Sequence, residues 1–124
     1  MFIPEIGDEI QLTEDWNFNL YLESRNESLI SYLGLSEESF PKQIGKYWEP
    51  NFKMVYISAS LPAGSIFRID RIYIRKGRSE FSSISFIMQG VTTQKSYSSD
   101  KTKEIRVRFW AKLSDINQIN FKFL

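Results

Sequence analysis

Histidine and cysteine are both missing from this 124-residue chain. Their absence excludes structural zinc of the usual Cys/His kinds, disulfides, thiol nucleophiles and every mechanism that needs an imidazole base. Alanine, the strongest helix former, occurs three times against 15 isoleucines, so the residue supply favours strands. An AT-rich genome of the kind many phages carry biases composition in the same direction. No run of eighteen apolar residues exists. The opening Met1, Phe2, Ile3, Pro4 and Glu5 supplies neither the basic nor the apolar region of a signal peptide. The expectation is a cytoplasmic protein with no membrane partner. No repeat, linker or low-complexity tract divides the sequence, and its length suits one β domain over residues 1–124. With 42% apolar and 25% charged residues the chain has enough hydrophobic material for a packed core.

The net charge of +1 hides an asymmetry. Residues 1–62 carry four basic and ten acidic side chains, net −6, whereas residues 63–124 carry twelve and five, net +7. Clustered Lys and Arg create a field that attracts phosphates, which suggests an anionic partner for the second half. Pairing of the two halves with each other explains the same asymmetry without a ligand.

Periodicity predicts a mainly β protein, an antiparallel β-sandwich or small β-barrel of about 7–8 strands with one short helix near residues 26–34 and about 15% helix at most. Ile6 to Thr13 reads as a strand, and the alternation of Trp16, Phe18, Leu20 and Leu22 marks a second, joined to the first by a hairpin across Glu14 and Asp15. Asn26 and Gly34 bracket the helix as cap and stop. Ser36 to Pro50 is a loop with one helical turn, and Lys53 to Ser60 is the next strand. Leu61 to Gly64 is turn chemistry. Between Ser65 and Arg75 the apolar phase reverses after Ile69. Either both faces are buried there or a bulge near Asp70 and Arg71 resets the register. Lys76, Gly77 and Arg78 form a turn and Phe81 to Met88 the partner strand. Gly90 to Lys103 is a polar excursion without apolar period, expected to be mobile. Glu104 to Leu113 alternates most cleanly, with Ile105, Val107 and Phe109 inward. A turn at Ser114 to Asn117 precedes a last strand with Ile119, Phe121 and Phe123 inward. The expected core is Trp16, Phe18, Leu20, Val55, Ile57, Phe67, Ile69, Phe86, Ile105, Val107, Phe109, Phe121 and Phe123.

The outward face of Glu104 to Leu113 interleaves Arg106, Arg108 and Lys112 with Trp110. Guanidinium forks bind phosphate in pairs of hydrogen bonds and an exposed indole stacks on bases, so this face suits single-stranded nucleic acid or a nucleotide. Arg68, Arg71, Tyr73 and Arg75, with Lys76 and Arg78 in the following turn, widen the candidate patch. The plain alternative is a solvated sheet face with Trp110 covered. The acidic residues Glu5, Asp8, Glu9, Glu14 and Asp15 lack the loop spacing of a calcium site and read as a solvated face, so neither metal nor cofactor is implied. No P-loop, GxGxxG or GxSxG run occurs. Catalysis would fall to Glu80 or Glu104 beside the arginines, as in a small ribonuclease, without any positive sign of it. Two readings therefore stand. One is a non-catalytic binding domain for a phosphate-bearing ligand. The other is a protein-protein module, such as a phage or mobile-element inhibitor that engages a host protein through its acidic N-terminal half.

Overall fold

The computed structural model describes residues 5–42, 55–74, 82–97 and 101–124, and for 94–97 and 101–104 the backbone alone. Seven strands form among them: β1 (Glu9–Leu12), β2 (Trp16–Tyr21), β3 (Tyr56–Leu61), β4 (Ile66–Tyr73), β5 (Ser83–Tyr97), β6 (Lys101–Lys112) and β7 (Phe121–Phe123). Five of them make an antiparallel sheet in the order β6-β5-β4-β1-β7, and β2 with β3 makes a second, two-stranded sheet. The fold is thus mainly β, and its two sheets are layered rather than closed into a barrel.

The strands follow the predicted alternation, but the hairpin across Glu14 and Asp15 does not form. β1 pairs with β4 and β7, while β2 pairs with β3, so Thr13 to Asp15 carries the chain from one layer to the other. That crossing is tied down by the Thr13 N–H on the Asn120 carbonyl at 2.9 Å and by the Ala63 N–H on Asp15 Oδ1 at 2.8 Å. A tight hairpin would have put Leu12 and Trp16 in one sheet. Instead they enter the core from different sheets, both buried.

The core is aromatic. Trp16 stacks on Phe18 with ring centroids 4.4 Å apart, and Phe18 stacks on Phe109 at 5.4 Å. Phe67 and Phe86 close the cluster from β4 and β5, each within 6.2 Å of Trp16. Leu20, Ile69 and Val107 are buried as expected, whereas Val55, Ile57, Ile105 and Phe121 are half-buried. Phe123 departs from expectation outright at 57% exposure. β7 is a three-residue edge strand whose neighbour is β1, and no second layer covers its far end.

The helix near residues 26–34 is present as α1 (Glu27–Tyr32), preceded by a 3-10 turn at Ser24–Asn26 and ended by Gly34 at φ +75°. A 3-10 turn at Glu37–Ser39 is the one helical turn expected in that loop, whereas α2 (Leu113–Ile116) stands where a plain turn was expected; helix amounts to 18%, above the expected ceiling. Gly64, at φ +92°, makes the turn into β4, where its N–H reaches the Leu12 carbonyl at 2.8 Å.

The larger correction concerns Gly90 to Lys103. Residues 90–97 and 101–103 of this span are not an unstructured excursion but belong to the paired strands β5 and β6, with Thr92 opposite Arg106 and Tyr97 opposite Lys101. A two-stranded ribbon beyond the core needs no apolar face, so the period-two signal disappears although the pairing persists. Lys53, the turn from Lys76 to Arg78, and residues 98–100 lie outside the described residues. No helix among those described is long and apolar enough to cross a membrane.

Candidate phosphate-binding face

Successive side chains of a strand leave opposite faces, so the β4, β5 and β6 residues that turn from the core share the outer face of the large sheet. Strand pairing sets them in rows. Arg68, Ile87 and Arg108 form one row; Arg71, Ser85 and Trp110 the next; Tyr73, Ser83 and Lys112 a third. Glu9 extends the first row on β1, and Arg106 lies opposite Thr92.

A β-bulge makes this convergence. The register shifts between Ile69 and Arg71, which was one of the two outcomes the phase reversal allowed. Without the extra residue Arg71 and Tyr73 would point into the core; with it they join Arg68 outside and Ile72 packs against the core. Asp70, the residue at the shift, is placed to pair with Arg108 at 3.7 Å.

Seven of the eight candidate residues therefore lie on one face, and Arg75 falls outside the described residues, as does Glu80; Glu104 is described by its backbone only. Arg71, Arg106 and Arg108 are exposed, while Arg68 and Lys112 are half-buried. No carboxylate among the described residues pairs with Arg68 or Arg106 within 4 Å. Arg71 donates to Tyr73 Oη at 3.5 Å, the long limit of a hydrogen bond, and holds the phenol below its ordinary pKa.

Trp110 corrects the sequence reading. Its ring is buried at 6% exposure and offers no open platform. Tyr21 stacks on it at 5.1 Å with planes 12° apart, and the Arg25 guanidinium lies over it at 5.4 Å. Its indole N–H donates to the Glu23 carboxylate, which also takes a hydrogen bond from Arg25 Nε at 2.7 Å. Burial works to raise the Glu23 pKa, and the hydrogen bonds from Arg25 and Trp110 outweigh it, leaving the carboxyl below its ordinary value.

Arg25 is the residue that sequence reasoning missed. It belongs to the acidic half and to no periodic element, yet the turn Ser24–Asn26 wraps the sheet edge and lays its guanidinium over the Trp110 ring and, at 6.0 Å, the Tyr73 ring. Lys112 likewise sits 4.9 Å from the Tyr21 ring. Cations and aromatic rings thus alternate along this side of the sheet.

A groove of about 670 Å³ lies beside α1, with Leu22, Ile30 and Leu35 in its lining and Glu23, Glu27 and Glu37 among them. The early acidic residues do not converge. Asp8 Oδ2 accepts from the Glu5 N–H at 2.9 Å, Asp15 holds Ala63, and Glu14 Oε2 accepts from Asn120 Nδ2 at 3.0 Å. Among the described residues no three carboxylates come together as metal ligands would. Comparison with protein-family models, with curated proteins and with solved structures finds no match to this chain.

Proposed function

We propose that this chain binds a phosphate-bearing ligand, single-stranded nucleic acid or a nucleotide, on the outer face of its five-stranded sheet. One observation carries the reading: Arg25, Arg68, Arg71, Arg106, Arg108 and Lys112 share that face, against Glu9, Glu23 and Asp70. Like charges gathered on one side of a small sheet repel one another, and an anionic ligand offsets that repulsion. Arginine forks suit phosphate oxygens, and Tyr73 at 39% exposure adds an aromatic edge.

The acid-lined groove beside α1 favours a second reading, in which Glu23, Glu27 and Glu37 receive a basic segment of a host protein. Titration of fluorescent oligonucleotides and of mono-, di- and cyclic nucleotides at two salt concentrations separates the two. Binding that weakens with salt supports the phosphate reading. If wild type binds none of these at low salt, the arginine face is ordinary solvated sheet and the groove takes precedence.

A further inference from the structure

We infer that Tyr73 and Trp110 are the walls of a slot for a planar nucleobase, and that Arg25 fills this slot from within the chain. The inference rests on the phosphate reading and names what lies next to the phosphate.

Tyr73 stands on β4 and Trp110 on β6, with β5 between them. Two strand spacings separate their strands by roughly 9.5 Å, and the two residues are offset by one row along the strands. In that interval β5 presents Ser83, half-buried, and Ser85, buried, two small hydroxyl side chains that would floor a trough between the rings. The Arg25 guanidinium lies over both rings, 5.4 Å from one centroid and 6.0 Å from the other. A guanidinium is planar, delocalised and rich in donors, and stacks on aromatic faces much as a base does. Its position marks the space a base would take.

The occupant is half in solvent. Its side chain is 51% exposed, and it is anchored by the ion pair to Glu23, whose own side chain is 12% exposed, with the Tyr73 hydroxyl as a further polar partner. A cation over a ring at a wet site contributes less than a stacked base. Glu23 keeps the Trp110 indole N–H when Arg25 swings away, so the wall stays in place while its face opens. Arg71 lies in the Trp110 row and Lys112 in the Tyr73 row, one at each side of the trough, where phosphates on either side of a seated base would meet them.

The test measures the affinity of wild type, Arg25→Ala and Tyr73→Ala for oligothymidylate and for inorganic polyphosphate of similar charge, with thermal melts alongside. In Arg25→Ala the ratio of oligothymidylate to polyphosphate affinity should rise about tenfold, and in Tyr73→Ala it should fall about tenfold, as one stacked base requires. Tyr73→Ala should keep the wild-type melting temperature, whereas Arg25→Ala gives up the ion pair to Glu23 and should melt slightly lower in a single transition; in each, a shifted Trp110 indole N–H resonance on adding thymidine monophosphate supports the slot. Equal loss of both probes in Arg25→Ala makes Arg25 a phosphate contact and overturns the slot while leaving the phosphate reading standing. An unchanged ratio in both variants does the same. Failure of wild type and variants to bind either probe overturns the slot and the phosphate reading together.

Discussion

Asn26 and Trp110, 84 residues apart in sequence, are joined by a hydrogen bond of 2.8 Å from the Trp110 backbone N–H to Asn26 Oδ1. Asn26 Nδ2 donates in turn to the Tyr21 carbonyl at 2.9 Å, and the whole side chain is buried. One amide thereby fastens the turn before α1 to the end of β2 and to the last residues of β6. Asn26→Ala leaves a buried donor and a buried acceptor without partners, each costing about 1–3 kcal/mol, so the loss should reach about 2–6 kcal/mol in urea unfolding. A loss below about 0.5 kcal/mol, the range of ordinary surface changes, would show that water reaches this joint.

Phe109 has no exposed surface and touches Trp16, Phe18, Phe67 and Phe86. Phe109→Ala should destabilise the fold by about 3–5 kcal/mol. A change under about 1 kcal/mol would mean that the two sheets do not close over this ring.

On the outer face, Arg106→Ala removes an exposed cation with no carboxylate partner among the described residues. The slope of log affinity against log salt for an oligonucleotide should flatten by about 0.7, the value for one lost phosphate contact on a single strand. Asp70→Asn should act in the opposite sense by releasing Arg108 from its ion pair. Slopes identical to wild type in both would move the ligand off this face. Trp110→Ala is not a usable probe, because removing a buried ring destabilises the fold and imitates lost binding.

Glu23 gives a pH dependence of fixed sign. Its folded pKa is lowered, so the stability it supplies is fully present above about 4.5, the ordinary glutamate value, and is lost as pH falls through the folded pKa. The gap in urea midpoint between wild type and Glu23→Gln should be constant above that value and shrink below it. A gap that stays the same down to about pH 3 would show that the carboxylate gains nothing from Arg25 and Trp110 in the folded state.

The rows of the candidate face were legible from the chain because strand periodicity is local. Val107, Phe109 and Ala111 fix where Arg106, Arg108 and Lys112 must point, and the phase slip after Ile69 was visible as apolar residues changing parity. Whether Trp110 was open was not legible, since its cover comes from Tyr21 at the end of β2 and from Glu23 and Arg25 just after it, some ninety residues earlier. The hairpin ends at Gly90 to Lys103 were missed for a related reason: backbone pairing outside the core leaves no hydrophobic trace. The partner of β1 was misread because a two-residue polar gap fits a tight turn and a layer crossing equally well.

The outer edge of β6 has a further consequence. Ser28 Oγ accepts from the Arg108 N–H at 2.8 Å and meets the Arg108 carbonyl at 2.9 Å, two residues along from the bond that Asn26 makes to Trp110. Two side chains spaced by two residues thus occupy the backbone groups that an added antiparallel strand would use. Along this stretch an incoming chain finds no template, and strand addition, the first step of domain exchange or fibril growth, requires the turn and α1 to peel away first. Along this stretch of the edge, protection against strand addition is a property of one asparagine and one serine. Losing both would convert the same surface into a seed for aggregation.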